Sequence, residues 1–388
     1  MDLTEPGITM YAYQQYGRYF AQVADDIKDI AETELLELGA EEPSHSYRGI
    51  YFNAKPEALY RINLHSRLIN RVLAPLKTFD CHSDNYLYQV AQKIHWEDFL
   101  NPEQTLAVFA NVSQSNISHS KYAALRLKDA IVDYFRQRAG DRPSVNTRNP
   151  DLWLNVYIEK NVATISVDTS GGSLHRRGYR LETTQAPMSE TLAASIIRYA
   201  EWDGQTPLYD PFCGSGTLLC EAYLIATKTP SANMRSKFGF ERLPDFDDKL
   251  WAKVQKEANQ KIKSVSDNLI KGSDIDSKVV DTAKKNSANI DPDKKIKIIQ
   301  KDIFDIEKLQ DTTIICNPPY GIRMKQKKDL SEFYKNLGDF LKQRCTNSTA
   351  YIYFGDREYL KRIGLKSSKR WILSNGGLDG RLAKFEMY

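Results

Sequence analysis

Hydrophobic and polar positions along the chain follow one pattern before about residue 170 and another after it. In the first part, short alternating runs predict strands, and apolar residues at helical spacing predict helices between them. The alternating runs 152–158 and 162–167 are separated by Glu159-Lys160-Asn161, which predicts a β-hairpin. Strands and helices in this order favour a small α+β region. The other predicted elements are strands at 18–23, 49–52 and 105–112 and helices at 25–38, from Pro56 and from Ser120.

From residue 189 onward, strands and amphipathic helices alternate, which predicts an α/β fold with a doubly wound sheet. Two late runs, 371–374 and 382–387, flank Asn375-Gly376-Gly377 and predict an antiparallel pair that closes this sheet. A segment at 227–249 is rich in Pro, Asp, Arg and aromatic residues, so we expect an ordered insertion there. The other predicted strands are one that ends at Asp210 and those at 269–276, 296–304, 312–316 and 350–354.

A glycine-rich segment, Asp210-Pro211-Phe212-Cys213-Gly214-Ser215-Gly216-Thr217, lies between a predicted strand and a predicted helix. Glycine lets the backbone approach a ligand that a Cβ atom would hold off. In open α/β sheets, ligands bind at the carboxyl ends of the strands. The segment therefore favours a nucleotide-type cofactor cradle, although a tight turn before any helix uses the same residues.

A second segment, Asn317-Pro318-Pro319-Tyr320-Gly321, follows the β-branched run 312–316. The two prolines fix φ and keep Asn317 extended, so the strand stops and presents the Asn side chain at its carboxyl end. A Pro-Pro pair alone is typical of an ordinary turn. Together with the glycine-rich segment, however, it resembles motifs I and IV of the S-adenosylmethionine-dependent amino-methyltransferases.

Acidic residues end two further predicted strands of the same sheet. Asp276 is placed to accept hydrogen bonds from ribose hydroxyls, and Asp302 is placed near an adenine amine with Ile303 packing on the ring. A single carboxylate at a strand end is more often a surface group. Two at successive strand ends favour the cofactor interpretation.

The residue types at the second segment suit transfer of a methyl group to an exocyclic amine of a base. The amine lone pair is delocalised into the ring, so the nitrogen is a poor nucleophile. The Asn317 side-chain oxygen and the Pro318 carbonyl are suited to accept both amine protons and to orient the lone pair. Tyr320 can stack on a base that has been flipped out of its helix or loop. This chemistry requires no metal, no histidine base and no covalent nucleophile.

Charge gives a weaker indication of the partner. The 388 residues contain 54 Lys plus Arg and 50 Asp plus Glu, and a net charge of +4 is too small to predict a nucleic-acid partner by itself. Two local clusters interleave cations with large side chains, which suits RNA phosphates and stacking, although a solvated charged face has the same composition. The candidate RNA-binding residues are His175, Arg176, Arg177, Arg180, Arg323 and Lys325.

Membrane segments, signal peptides and metal-binding cysteine patterns bear on the compartment and on metal binding. The sequence has no run of ~18 apolar residues, and its start lacks the basic and apolar regions of a signal peptide, so we expect a cytoplasmic protein and no membrane partner. The five cysteines form no CxxC pair and no metal spacing, which is typical of a reducing compartment.

Over nearly its whole length the chain resembles the bacterial large-subunit ribosomal RNA guanine-N2 methyltransferases of the RlmL type. The resemblance implies an N-terminal ferredoxin-like segment at 1–77, a THUMP RNA-binding domain at 78–170, and a Rossmann-like class I methyltransferase domain at 171–388. The strings that carry it are 60–68 (YRINLHSRL), 128–135 (KDAIVDYF), 173–180 (SLHRRGYR), 210–217 and 317–321.

The resemblance implies S-adenosylmethionine as the cofactor and guanine N2 as the target, with Asn317, Pro318 and Tyr320 as the catalytic residues. Ile322 stands where relatives often carry an acidic residue, which leaves the contacts of the target loop open. The predicted cofactor-binding residues are Asp210, Phe212, Gly214, Gly216, Thr217, Asp276, Asp302, Ile303 and Asn317.

The sequence therefore predicts methyl transfer to N2 of a guanine in large-subunit ribosomal RNA, either as naked RNA or within an assembly intermediate. Transfer RNA is the main alternative substrate, because THUMP-bearing enzymes that modify it share both motifs. A non-catalytic RNA-binding or ribosome-assembly protein and a DNA adenine-N6 methyltransferase are weaker alternatives. The target nucleotide and the oligomeric state stay open.

Overall fold

The computed structural model describes residues 10–117, 119–183, 187–320, 327–375 and 379–388, with the side chains of 327–329 excepted. These residues fall into two compact units. The first unit contains the chain up to Leu174 together with Arg235–Gln255. The second contains His175–Met234 and Lys256–Tyr388.

Unit 1 is built on a mixed sheet with the strand order β2-β3-β1-β4-β8-β7-β5-β6. Its described strands are β1 (Arg18–Gln22), β2 (Glu41–Ser46), β3 (Gly49–Asn53), β4 (Arg71–Asp80), β5 (Thr105–Ser113), β6 (Ser144–Val145), β7 (Leu152–Glu159) and β8 (Val162–Asp168). Its described helices are α1 (Ala12–Tyr16), α2 (Lys28–Glu37), α3 (Pro56–His65), α4 (Asp84–Ala91) and α5 (Ser120–Ala139). The predicted hairpin is confirmed, because β7 pairs antiparallel with β8 across Lys160 and Asn161, both at positive φ.

The sequence analysis did not predict strand β4, although this strand lies in the middle of the sheet. It contains Pro75, and proline cannot donate a ladder hydrogen bond, so it argues against a central strand. In the structure the register between β4 and β8 shifts between Pro75 and Lys77. A bulge accommodates a proline because the ladder is already interrupted there.

The predicted insertion contributes an aromatic cluster to unit 1. The Tyr60 ring of α3 lies 4.6 Å from the Phe240 ring of the insertion and 6.0 Å from the ring of Trp251, which follows the insertion, centroid to centroid. Arg235 donates a hydrogen bond of 3.0 Å to the Ser170 carbonyl. Packing against unit 1 thus accounts for the apolar residues of a segment that sequence alone left without a function.

Unit 2 is a doubly wound sheet with the order β11-β10-β9-β13-β15-β17-β16, parallel except where β17 pairs antiparallel with β15 and β16. The predicted closing antiparallel pair is therefore confirmed. The described strands are β9 (Leu208–Asp210), β10 (Ile270–Asp274), β11 (Ile296–Gln300), β12 (Leu309–Gln310), β13 (Thr313–Cys316), β14 (Cys345–Thr346), β15 (Ser348–Phe354), β16 (Lys369–Ile372) and β17 (Arg381–Met387). The described helices are α6 (Glu190–Tyr199), α7 (Thr217–Ala226), α8 (Asp248–Gln260, which begins in unit 1), α9 (Ser277–Ala288) and α10 (Lys327–Arg344).

Strands β9, β10 and β13 place their carboxyl ends side by side. Leu208 of β9 pairs with Ile270 of β10 on one side and with Thr313 of β13 on the other. Because the three strands are parallel, the residues after Asp210, Asp274 and Cys316 emerge at one edge. That edge carries both segments singled out in the sequence.

Candidate active site

The glycine-rich segment forms a tight bend between β9 and α7. The Cys213 amide donates to the Ser273 carbonyl of the neighbouring strand at 2.9 Å, and the Gly216 amide donates to the Cys213 carbonyl at 2.8 Å. Gly216 has φ of 83°, and a Cβ atom there would lie 3.3 Å from the Cβ of Ala283 on α9. Glycine is required at this position both by the left-handed backbone and by the close approach of α9.

Two carboxylates accept hydrogen bonds from backbone amides of this bend. Asp210 is 1% exposed, and its Oδ1 accepts from the Phe212 amide at 3.0 Å. Burial raises the pKa of the Asp210 carboxyl well above its usual range, and the negative charge of Asp274 adds to the rise. The Oδ2 atom of Asp274 accepts from the Gly214 amide at 3.1 Å, so the end of β10 holds the bend in place. The sequence reasoning missed Asp274, which stands in the same acidic strand end as Asp276.

The acidic residues predicted to contact the cofactor lie at the expected edge, where each also caps a turn of helix. Asp276 is exposed and its Oδ1 accepts from the Lys278 amide at 2.9 Å, at the start of α9. Asp302 is half-buried and its Oδ1 accepts from the Phe304 amide at 3.0 Å. Each cap occupies one carboxylate oxygen. Their contacts with a ribose or an adenine stay predictions.

Ile303 does not lie where the sequence suggested. It is 3% exposed and belongs to the apolar core of unit 2, so its side chain offers little surface to a purine ring. Ile275, immediately after β10, is 65% exposed at the same edge of the sheet. The burial of Ile303 is at odds with its predicted packing on an adenine ring, whereas the Ile275 side chain is accessible at this edge.

The Asn-Pro-Pro-Tyr segment follows β13 directly. The Oδ1 atom of Asn317 is buried and has no hydrogen-bond partner among the described residues. The Pro319 carbonyl accepts a hydrogen bond of 3.2 Å from the hydroxyl of Tyr334 on α10. The Tyr320 ring is half-buried and lies so close over Gly355 that a Cβ atom at Gly355 would overlap it. The segment is therefore held at two points, while a buried amide oxygen is left unsatisfied, which is uncommon for such atoms.

Both segments line one small, partly open cavity with a volume of about 40 Å³. The cavity is too small for a nucleoside, so most of a cofactor would lie along the open edge of the sheet. A cavity of about 490 Å³ lies in unit 1 and is lined by neither segment, so chemistry rather than size identifies the site. The lining residues are Pro187, Met188, Asp210, Phe212, Cys213, Gly214, Ser215, Thr217, Leu218 and Asn317.

Two buried thiols flank the cavity. Burial raises the pKa of Cys213 and that of Cys316 well above the usual range, and the neighbouring Asp210 adds to both shifts. A thiol with a raised pKa stays protonated and is a weak nucleophile at neutral pH. Both cysteines are therefore best described as small apolar side chains that fill space.

The basic string at 175–180 divides into a buried part and an exposed part. Arg177 is 2% exposed, and its Nε lies 3.4 Å from Oε1 of the buried Glu221. Arg180 has a largely buried side chain that pairs with Glu190 at 2.9 Å. The burial of Arg177 and Arg180 is at odds with the predicted contact to RNA phosphates, and we assign both residues a structural role.

For the other four residues predicted to bind RNA, the structure does not contradict the prediction. Arg176 is exposed and His175 is half-buried, so contact of these two with RNA stays a prediction. Arg323 and Lys325 lie outside the described residues, as do Gly321 and Ile322. No helix in the described ranges is long and apolar enough to cross a membrane.

Comparison with known protein families decides which family this site belongs to. A family model for the RMKL-like methyltransferase domain matches residues 177–384. The chain belongs to this family. Models for the THUMP domain and for the RlmL ferredoxin-like domain match residues 81–168 and 18–73. The predicted fold class is confirmed, and so is the cofactor, because the RMKL-like methyltransferases use S-adenosylmethionine.

Each matched range lies inside one of the three predicted domains, and the exact boundaries stay predictions. The grouping of Arg235–Gln255 with unit 1 departs from three consecutive domains.

Sequence relatives fall into two sizes. A Synechocystis sp. protein, provisionally named an RNA methyltransferase, is 41% identical over 371 residues, which are 95% of this chain and 97% of that protein. The ribosomal RNA large subunit methyltransferase K/L of Syntrophotalea carbinolica is 36% identical over 381 residues, 95% of this chain and 53% of its own length. The chain thus spans about half the length of the K/L relatives that it matches.

Solved structures support the same fold. SMU.472, provisionally named a methyltransferase and crystallised with SAH, superposes with a TM-score of 0.84 at 27% identity, covering 96% of this chain and 98% of its own. A Listeria monocytogenes protein, named a predicted N6-adenine-specific DNA methylase, gives a TM-score of 0.81 at 26% identity and covers 98% of this chain and 100% of its own.

Proposed function

We propose that this chain transfers a methyl group from S-adenosylmethionine to the exocyclic N2 of a guanine in large-subunit ribosomal RNA. The observation that carries the proposal is the buried Asn317 Oδ1, which has no partner among the described residues and belongs to a residue that lines the cavity of the glycine-rich segment. A buried acceptor without a donor is costly unless a ligand supplies one. An amine hydrogen of a base is such a donor.

The residues of the cofactor side fit an adenosyl ligand. Gly214 lines the cavity without a side chain, and the bend leads into the N-terminus of α7. Asp276 and the exposed Ile275 follow the neighbouring strand, where a ribose and an adenine ring would lie. When bound there, S-adenosylmethionine supplies an electrophilic methyl group on a positively charged sulfur.

On the target side, the protein orients the amine. Asn317 Oδ1 accepts a hydrogen bond from one amine hydrogen, and the Pro318 carbonyl accepts from the other, because Tyr334 already occupies the Pro319 carbonyl. Both acceptors draw the lone pair onto nitrogen and direct it towards the methyl group. The nitrogen lone pair forms the new N–C bond, the C–S bond pair stays on sulfur, and one amine proton leaves to solvent.

Tyr320 supplies a stacking surface for the flipped base. Its ring packs over Gly355, where only a residue without a side chain allows the approach. Aromatic stacking is worth about 1–3 kcal/mol per base, enough to hold a base away from its helix. Arg176, exposed next to His175, is a candidate contact for the RNA backbone.

The choice of ribosomal RNA rests on the K/L relatives and on the match to a THUMP domain. Transfer RNA is the alternative substrate for the same chemistry. An adenine N6 amine could bind the same two acceptors, and the name of the Listeria neighbour gives that alternative weight. A protein that binds RNA without methylating it would leave Asn317 Oδ1 with no catalytic partner.

A transfer assay with purified protein separates these outcomes. Labelled S-adenosylmethionine is incubated with large-subunit RNA or with transfer RNA, each prepared from cells that lack the protein, and Asn317→Ala serves as the inactive control. We expect label in large-subunit RNA as N2-methylguanosine. Label only in transfer RNA moves the substrate, label in N6-methyladenosine moves the target atom, and no label in either RNA contradicts the proposed function.

A further inference from the structure

We infer that Arg180 is a positioning residue for the methyl donor, and that it acts by fixing the distance between two walls of the cofactor cavity. The inference rests on the proposed function, since it concerns the same cavity. Arg180 was predicted from sequence to bind RNA, and its contacts assign it elsewhere.

The contacts of Arg180 reach both walls. Its Nη2 donates to the Met188 carbonyl at 2.9 Å and to the Thr217 hydroxyl at 3.1 Å. Its Nη1 donates to the Ser215 hydroxyl at 3.2 Å. Met188 lines the cavity from the segment before α6, whereas Ser215 and Thr217 line it from the glycine-rich bend. One guanidinium thus joins two segments that share no strand pairing.

The charge of Arg180 is balanced within the same cluster. Its Nε donates to Oε1 of Glu190 at 2.9 Å, and the side chains of Arg180 and Glu190 are only 15% and 7% exposed. Glu190 begins α6, immediately after the Ser189 cap. Four donations from a planar fork need arginine, because lysine offers a single nitrogen. Removal of Arg180 would also leave the Glu190 carboxylate buried without its cation.

A second side chain ties the same two segments together. Asn286 of α9 accepts from the Leu181 and Glu182 amides at 2.8 and 3.1 Å through Oδ1. Its Nδ2 donates to the Glu182 and Ser215 carbonyls, both at 3.0 Å. Asn286 is 1% exposed, so every one of its amide contacts is internal. The wall before α6 is therefore anchored to the bend at two places, and Arg180 holds the place nearer the cavity.

These contacts predict that Arg180 affects the binding of the methyl donor and not the binding of RNA. A group that sets the width of the cofactor cavity governs the affinity for the methyl donor. It touches neither Asn317 nor Tyr334, so it leaves the target side unchanged. Loss of Arg180 is thus expected to raise the dissociation constant for the donor while leaving RNA affinity alone.

The test uses Arg180→Ala, Arg180→Lys and the control Lys284→Ala, which alters an exposed cation on α9. Calorimetric titration with S-adenosylhomocysteine is expected to show a dissociation constant raised by about tenfold to a hundredfold for Arg180→Ala, in the range seen when supporting hydrogen bonds around a site are lost. Arg180→Lys should recover part of that loss, and Lys284→Ala should match the parent protein. Affinity for large-subunit RNA, measured by gel shift, should not change with Arg180→Lys.

A purely structural role is distinguished by kinetics. With a positioning role, the KM for S-adenosylmethionine rises in Arg180→Lys while kcat at saturating donor stays near that of the parent protein. If Arg180→Ala does not fold, Arg180→Lys and Thr217→Val still test the contact, because each removes hydrogen bonds without removing bulk. Unchanged affinity in Arg180→Lys and Thr217→Val, or a loss of RNA affinity instead, overturns the inference. Failure of the parent protein to bind S-adenosylhomocysteine overturns the proposed function itself.

Discussion

The cofactor side and the target side of the cavity are held in place by different kinds of interaction. On the cofactor side, Asp210, Asp274, Arg180 and Asn286 bind backbone groups and hydroxyls through a buried polar network. On the target side, the Tyr334 hydroxyl holds the Pro319 carbonyl, and the Tyr334 ring is itself held by stacking on the rings of Phe354 and Tyr359. The two sides meet at Asn317, which lines the cavity with the cofactor residues.

The difference shows how one edge of a sheet can serve two ligands. A polar network fixes backbone amides and carbonyls at defined distances, which suits a cofactor that is the same in every turnover. Aromatic rings fill space without occupying hydrogen-bond acceptors, which agrees with an Asn317 Oδ1 that has no partner among the described residues and that we propose as an acceptor for the amine. Changes on the target side should therefore alter turnover, and changes on the cofactor side should alter donor affinity.

Asn317→Ala should have the largest effect. Without the amide oxygen, one amine hydrogen loses its acceptor, and we expect kcat to fall by about a hundredfold to a thousandfold, as for other oriented hydrogen-bonding groups of active sites. Affinity for S-adenosylhomocysteine should be unchanged by calorimetry. Asn289→Ala, at an exposed asparagine of the same unit, is the control. Unchanged turnover would remove Asn317 from the mechanism.

Gly216→Val should impair the cofactor side. The left-handed φ of 83° and the approach of Ala283 both oppose a β-branched side chain, and strain of this kind costs about 1–3 kcal/mol. We expect a lower free energy of unfolding and weaker binding of S-adenosylhomocysteine. The matched control is Gly364→Val, which has a φ of 67° and where a Cβ atom would meet only the Nζ atom of Lys342, at 3.7 Å. If both variants lost donor affinity equally, backbone strain alone would explain the effect.

Tyr334→Phe should affect the target side more mildly. The variant keeps the ring, which stacks on Tyr359 at 4.9 Å and on Phe354 at 5.5 Å, and removes only the hydroxyl that binds the Pro319 carbonyl. One such hydrogen bond is worth about 0.5–1.5 kcal/mol, so kcat should fall by roughly twofold to tenfold. Donor affinity should not change, and Tyr359→Phe should leave both quantities alone. A fall in donor affinity would mean that the two sides are coupled through α10.

Asp210→Asn should change how the free energy of unfolding depends on pH. Because burial raises the pKa of Asp210 in the folded chain, the folded state binds more protons than the unfolded state between the ordinary and the raised pKa. The free energy of unfolding contributed by this group is therefore highest at low pH and decreases as pH rises through that window. Asp210→Asn should flatten this decrease in urea titrations. A steeper decrease would show that the sign of the shift is wrong.

The sequence predicted the two segments of the site better than the residues that support them. Glycine and proline constrain the backbone locally, so Gly214, Gly216, Pro318 and Pro319 are readable in a single chain. Arg180 and Asn286 act across long sequence separations, and an arginine in a basic string has the same appearance whether it is buried or exposed. The strand containing Pro75 was missed for a similar reason, since the bulge that tolerates the proline depends on its partner β8.

Apolar residues at the sheet edge show the same limit. Ile303 follows Asp302 after β11, and Ile275 stands between Asp274 and Asp276 after β10. Their sequence surroundings are thus similar, and only packing decides that Ile303 enters the core while Ile275 is exposed. Periodicity assigns a residue to an element without specifying which neighbour covers it. The ends of these strands were therefore predictable, whereas the exposure of the apolar residue at each end was not.

The most direct test of the whole account is nucleoside mass spectrometry of large-subunit RNA from cells with and without this protein, complemented with the parent chain or with Asn317→Ala. The account predicts that the N2-methylguanosine content of large-subunit RNA falls in the absence of the protein. The content should return with the parent chain and should not return with Asn317→Ala. An unchanged N2-methylguanosine content in large-subunit RNA, or full restoration by Asn317→Ala, would contradict it.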